Sequence, residues 1–284
     1  MENLPRITKQ LKRLRSAENT NQAVKVKRAI QNQDLRLLKN QNINQMCDFY
    51  KLEPDIAEKF MLSYGPNWKT MLQLGCDINK QRTLYEERLN QWNYFQKHAG
   101  NGNPKYIENI LKENNIDFTE FANAIINVLS LSHGKINGLF LSGTSNSAKS
   151  LIAFLILEVF NNYSILSNSN ITSDFYFEPI LTSSICLIEE PFVTPMMLED
   201  FKLILGKGIM NVNAKYLPLQ RSIRIPFLIT SNFTLLSRGF ASPVSENAIK
   251  TRLHSFYFNT VYVPTSVKLH SGDLYSFIIK NKSI

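Results

Sequence analysis

Gly143-Thr144-Ser145-Asn146-Ser147-Ala148-Lys149-Ser150 is the stretch from which the rest of this chain is read. It follows an apolar run, Leu139-Phe140-Leu141, and precedes a helical one, Leu151 to Phe160. That strand, loop and helix order is what a phosphate-binding loop requires. Successive backbone N–H groups and a helix N-terminus then surround an anion. Lys149 would neutralise the β- and γ-phosphates, and the Ser150 hydroxyl would ligate Mg²⁺. Ala148 stands where glycine is usual, and glycine is preferred where a backbone turns tightly or approaches a ligand closely. The plainer alternative is a polar turn before a buried helix.

Outward from the loop, two further runs share its texture, Ile185–Ile188 and Phe227–Ile229. Each is short and continuously apolar, as strands covered on both faces are. Alternation of such runs with helical stretches predicts an α/β domain with a mostly parallel sheet. In such sheets function gathers past the carboxyl ends of the strands. Past the second run come Glu189 and Glu190. One carboxylate can hold Mg²⁺ and the other can orient and deprotonate an attacking water. Two glutamates beginning a surface loop would look the same. Past the third run comes Thr230-Ser231-Asn232, whose neutral amide can bind a γ-phosphate or the attacking water without adding charge. Asn is also a frequent turn residue. The order of loop, acid pair and Asn, each after an apolar run, is more specific than any one of them.

Between acid pair and Asn, Ile209 to Ile225 reads as a hairpin that follows a helix stopped at Gly206. It carries Lys207, Lys215, Arg221 and Arg224, with Tyr216 available for base stacking. Cations and an aromatic on a projecting hairpin suit a single-stranded phosphate backbone. A charged edge hairpin is the equal alternative.

The flanks are less specific. Of the net charge of +9, +7 lies in residues 1–40, which hold ten Lys/Arg against three acidic residues. Such a basic arm, helical or loose, points to nucleic acid, an anionic surface or nuclear import. Residues 44–97 have helical spacing, and Tyr85, Leu89, Trp92 and Phe95 fall on one expected face, most simply a core stripe. Gly100-Asn101-Gly102-Asn103-Pro104 is the clearest break, so the expected parts are an arm (1–40), a helical region (41–103) and an α/β domain (104–284). Two short helices are expected at Tyr106–Lys112 and Phe118–Leu131. Cys47, Cys76 and Cys186 form no disulfide framework or metal-ligand spacing, as in a reducing compartment. The longest apolar run, Leu151 to Phe160, is too short to span a bilayer, and no secretory signal is read at the N-terminus.

Taken together, residues 118–263 resemble a superfamily 3 helicase, and within that group the large non-structural replication proteins of parvoviruses. Gly134-Lys135-Ile136-Asn137 resembles the family's Gly-Lys-x-Asn lead-in to the phosphate loop. Asn170 and Phe175-Tyr176-Phe177 resemble the Asn and aromatics between its first two motifs. Leu187-Ile188-Glu189-Glu190 resembles the acid-pair motif, and Ile204-Leu205-Gly206 through Lys215 the motif that ends in a DNA-contacting lysine. Pro226 to Asn232 resembles the phosphate-sensing motif, and Ala248-Ile249-Lys250-Thr251-Arg252 with Phe256 the arginine-finger segment. Lys202 also matches a family lysine.

The resemblance implies an AAA+-like ATPase domain after a helical N-terminal region. It implies ATP and Mg²⁺ as ligands, single-stranded DNA as partner, a homo-oligomer, often a hexameric ring, and the host cell nucleus as location. ATP would sit between subunits, with Arg252 reaching a neighbour's nucleotide. The chain departs from the family at Ala148, and it lacks the His-x-His pair of the family's nicking domain, so no nickase activity is expected. Two other readings stand beside the helicase. One is a catalytically degenerate accessory protein that binds DNA and nucleotide. The other is a metabolic phosphate-loop kinase, which leaves the basic arm unexplained. The arm yields a prediction. Removing residues 1–40 should weaken single-stranded DNA binding and flatten the salt dependence of its affinity, measured by fluorescence anisotropy across a salt series.

Overall fold

The computed structural model describes residues 43, 46–167, 173–239, 241–262 and 268–283. The expected basic arm and Asn170 lie outside the described residues. The chain divides into two compact units, residues 1–82 and 83–284.

In the first unit α1 (Met46–Phe49) and α2 (Pro54–Tyr64) precede α3 (Trp68–Leu89), within which the division falls. Proline at the first turn of α2 has the φ a helix start needs and no N–H to waste. Ile43, Phe49, Phe60, Leu72 and Cys76 form a small core. The Phe49 ring stacks on Trp68 at 5.5 Å between centroids, and the buried Asn79 amide donates to the Ile43 carbonyl at 3.1 Å.

The second unit is the α/β domain. Its elements are α4 (Gln91–His98), α5 (Lys105–Glu113), α6 (Phe118–Ser130), β1 (Gly138–Gly143), α7 (Lys149–Leu157), β2 (Tyr163–Ser167), β3 (Ile185–Glu189), α8 (Leu198–Ile204), β4 (Asn211–Val212), β5 (Gln220–Arg221), β6 (Phe227–Ser231), α9 (Pro243–Lys250), β7 (Leu253–Phe258) and α10 (Ser271–Asn281). Among the described residues, five strands form one sheet in the order β2-β3-β6-β1-β7, and every neighbouring pair is parallel. The three apolar runs are β1, β3 and β6, the interior strands. Edge strand β2 instead alternates buried and exposed residues, as a half-covered strand must.

The pleat sends successive side chains to opposite faces and so builds two cores. Leu139, Leu141, Leu187 and Leu228 pack with Phe121 and Ile125 of α6, Ile152 and Ile156 of α7 and Phe277 of α10. Phe140, Ile188, Phe227 and Ile229 pack on the other face with Phe201 and Ile204 of α8. Each fully buried side chain of this size contributes roughly 1.5–3 kcal/mol.

Two features differ from the sequence reading. The division lies before Thr83, about twenty residues ahead of Gly100–Pro104. The Gly100–Pro104 stretch is no linker. Gly102 N donates to Ser276 Oγ at 2.9 Å and Asn103 N to Asp273 Oδ1 at 2.6 Å, while Phe95 of α4 is fully buried in the α/β core. The end of α3 belongs there too. Buried Glu87 accepts from Asn161 N (2.7 Å) and Ser184 Oγ (2.6 Å), just ahead of β2 and β3, and Arg88 Nη2 donates to Ser183 O at 2.7 Å. Second, Tyr85, Leu89, Trp92 and Phe95 do not share a face. Tyr85 and Leu89 are each 67% exposed on α3, and the helix breaks at Asn90, whose side chain caps α4 by accepting from Asn93 N and so resets the facing of Trp92 and Phe95.

Asn137 ties the roots of the sheet together. Fully buried, it donates from Nδ2 to Ile204 O (2.7 Å) and Ile225 O (2.8 Å), accepts from Arg224 Nε at 3.1 Å, and donates its backbone N–H to Arg252 O at 3.0 Å. Replacing it with Leu strands two buried carbonyls and a guanidinium. Asn137→Leu should therefore cost about 2–4 kcal/mol and lower the thermal midpoint by roughly 5–10 °C, read by urea and thermal unfolding.

Candidate nucleotide and nucleic-acid site

The candidate phosphate loop starts where β1 runs out. Gly143 has φ 138°, and a Cβ there would lie 1.8 Å from the Phe258 carbonyl oxygen, so only glycine fits. Thr144 N then donates to Phe258 O at 2.9 Å, and Tyr262 N to Asn146 O at 2.7 Å. The loop turns left-handed twice, at Asn146 (φ 58°) and Ala148 (φ 68°). Asn adopts that conformation readily, whereas Ala carries a cost of about 1–2 kcal/mol. This is why glycine is usual at 148. The Ala148 methyl packs in the same core as Ile152, which returns about 0.8 kcal/mol. The helix starts on schedule, with Ile152 N donating to Ala148 O at 3.0 Å.

Lys149, the first residue of α7, is buried. Its Nζ donates to Gly143 O (3.1 Å), Thr144 O, Ser147 Oγ (3.2 Å) and Asn232 Oδ1 (3.3 Å). Burial lowers its pKa, and nearby Glu190 pulls the other way. Ser150, one residue on, is exposed at the helix N-terminus, as are Thr144, Ser145 and Asn146 in the loop, while Ser147 is buried.

The other strand tips arrive beside it because β3, β6 and β1 are consecutive in the sheet. Glu189 ends β3 opposite Thr230 of β6, and Ser231 lies opposite Ser142 of β1. Glu190 takes φ 48°, and its carboxylate accepts from Asn232 N at 3.0 Å and Ser231 Oγ at 3.2 Å. Asn232 Oδ1 also accepts from Ser145 Oγ at 3.4 Å. Lysine, amide and carboxylate thus form one connected group. Ser231 belongs to it as well; the sequence reading passed over it because a serine before Asn has no distinctive signal.

The donors suit a magnesium nucleotide. Mg²⁺ takes one or two carboxylates and keeps water and substrate phosphate for the rest, and a hydroxyl such as that of Ser150 and a carboxylate such as that of Glu189 are donors of the type it accepts. Among the described residues, no group of three or more His, Cys, Asp or Glu gathers to hold a metal by protein ligands alone. Nor is any described helix long and apolar enough to cross a membrane.

The hairpin is present as β4 and β5, paired antiparallel with Asn211 opposite Arg221. Tyr216 stands at its tip, fully exposed, with φ 62°. Lys207 and Arg221 are exposed, and Lys215 Nζ lies 5.7 Å from the Phe175 ring. Arg224 is a correction: it is not on the hairpin's exposed surface but clamps the approach to β1. Its guanidinium donates to Asn137 Oδ1, Leu131 O (3.2 Å), His133 O (2.7 Å) and Ile136 O (2.9 Å), leaving little to offer a phosphate. Arg252 is not gathered with Lys149 either. It precedes β7 at the opposite end of the sheet, the length of β1 or roughly 17 Å away. There its Nε donates to Lys202 O at 2.9 Å and its Nη1 to Ala248 O.

The family described as parvovirus non-structural protein NS1 matches residues 76–278. Initiator protein NS1 of Aedes albopictus densovirus is 27% identical over 224 residues, covering 72% of this chain and 28% of that protein. Its counterpart from Aedes densonucleosis virus is 28% identical over 216 residues, covering 69% and 24%. The chain therefore spans about a quarter of the length of these relatives. Among solved structures, a JCV helicase is similar at a TM-score of 0.48 and 12% identity, covering 78% of this chain and 73% of that one.

Position 148 supplies the test of the loop. Ala148→Gly trades strain relief against a lost methyl and should change stability by no more than about 1 kcal/mol. Ala148→Val puts a β-branched residue at positive φ, which should cost about 2–3 kcal/mol and remove nucleotide binding. Differential scanning fluorimetry and titration with a fluorescent ATP analogue read both.

Proposed function

This chain belongs to the family of parvovirus non-structural protein NS1, and from that premise and the site's geometry we propose that it is an ATP-driven DNA helicase acting on single-stranded DNA in viral replication. The observation that carries the reading is the group Lys149–Asn232–Glu190, linked by contacts of 3.3 and 3.0 Å at neighbouring strand tips.

The roles follow from the chemistry. Backbone N–H groups of residues 145–148 and the start of α7 receive the triphosphate, and Lys149 exchanges loop carbonyls for phosphate oxygens. Ser150 and Glu189 would hold Mg²⁺, which would supply neutralisation of the charge that develops on the transferred group. Glu190 accepts the proton of the attacking water, and Asn232, a neutral amide, reports whether a γ-phosphate is present. Arg252, remote from its own loop, serves a neighbour's nucleotide in a homo-oligomeric, hexameric ring. Lys215, Tyr216, Lys207 and Arg221 follow the DNA strand. The basic arm carries the chain to the host cell nucleus.

The alternative, an accessory protein that binds nucleotide and DNA without turnover, is favoured by one observation, the left-handed Ala148. A coupled assay separates the two. ATPase activity should be stimulated by single-stranded DNA and fall at least a hundredfold in Lys149→Ala, on the order expected for a lost phosphate contact. Nucleotide binding without hydrolysis by the wild-type chain supports the accessory reading. Mixing Lys149→Ala with Arg252→Ala chains should restore part of the activity, since each repairs the other's site. No recovery on mixing counts against an arginine supplied in trans.

A further inference from the structure

Six residues past Asn232, Arg238 occupies a place that no motif reading assigned. Its guanidinium carbon lies 4.3 Å from the centroid of the Phe233 ring and 5.3 Å from that of Phe192. Phe233 follows Asn232 directly, and Phe192 is two residues beyond Glu190. One planar cation therefore bridges the segment leaving β6 and the segment leaving β3. Its Nη2 also donates to the Glu190 carbonyl at 3.3 Å. The same two segments are laced by Val193 N donating to Leu236 O at 2.9 Å and by Glu190 N donating to Thr230 O at 2.8 Å.

Two further facts show that this placement is held rather than incidental. Arg238 has φ 51° and Glu190 has φ 48°, both left-handed positions that non-glycine residues seldom adopt. Arg238 Nε is buried with no hydrogen-bond acceptor, which a guanidinium free to seek solvent would avoid. The aromatic contacts and the Glu190 carbonyl offset that cost.

We infer that Arg238 is a positioning residue that fixes Glu190 relative to Asn232 by bridging Phe192 and Phe233 and binding the Glu190 carbonyl. This rests on the hydrolysis reading above. Among the described residues, Arg238 makes no hydrogen bond to Lys149 or to residues 143–150, so its loss displaces the base without removing the phosphate cradle. A small displacement of a catalytic group lowers turnover far more than ground-state affinity. Lys is no substitute, since an ammonium lacks the flat face that two rings can grip.

The test uses the full chain, with ATP turnover stimulated by single-stranded DNA and affinity for a fluorescent ATP analogue measured side by side. Arg238→Lys should lower kcat roughly tenfold or more while KM and analogue affinity stay within about threefold. Phe233→Leu, at a half-exposed position, removes one face and should reproduce the split should Arg238→Lys fail to fold. Unchanged kcat in a folded variant overturns the inference. So does a parallel fall in kcat, analogue affinity and thermal midpoint, which marks a purely structural arginine. A wild-type chain that binds the analogue but never hydrolyses ATP overturns the hydrolysis reading and this inference together, and is recognisable before any variant is made.

Discussion

The backbone of Gly143 passes so close to the Phe258 carbonyl that no side chain fits between them. The site depends on that approach. It lets Thr144 reach Phe258 O and brings the segment after β7 far enough forward for Tyr262 N to hold Asn146 O. The loop after β1 is therefore not a local device. Its shape is set by a strand more than a hundred residues later in sequence, added to the outer side of β1. Beyond that contact the loop turns through two left-handed residues before α7 begins, and the ammonium of Lys149 lies against the loop's own carbonyls. The left-handed Ala148 is tolerable in this setting because its methyl faces the core that holds α7 to the sheet.

What was legible in the sequence is what burial makes continuous. Interior strands have apolar neighbours on both faces, so β1, β3 and β6 appear as unbroken runs, and the polar residues at their ends mark the site. The roots of the sheet left no such mark. Glu87 and Arg88 at the end of α3 bind the turns ahead of β2 and β3, yet an acid and a base on a helix read as ordinary solvated residues. The break at Asn90 was equally hidden, because Asn caps a helix only when the chain around it turns, and periodicity alone runs straight through. Arg224 and Arg221 are three residues apart and alike in composition. Arg221 ends β5 and faces solvent, whereas Arg224 has already entered the approach to β6, where the carbonyls of Leu131, His133 and Ile136 converge on it. Which of two cations serves the surface is decided by long-range register, and no local pattern holds that information.

The same register explains how opposite charges coexist at the strand tips. A direct pair between Lys149 and Glu190 would satisfy both and leave neither available to a third group. The amide between them prevents that. Asn232 takes the lysine on its side-chain oxygen and the glutamate on its backbone N–H, so each charge is oriented and neither is neutralised by the other. The arrangement holds only while the segments that carry Glu190 and Asn232 keep their spacing. Backbone bonds between them fix it at Thr230 and Leu236, and the Arg238 guanidinium spans the gap in between. The electrostatics of the site thus reduce to a problem of packing: two aromatic rings and one flat cation determine how far a carboxylate stands from an amide, and that distance determines what each charge is free to bind.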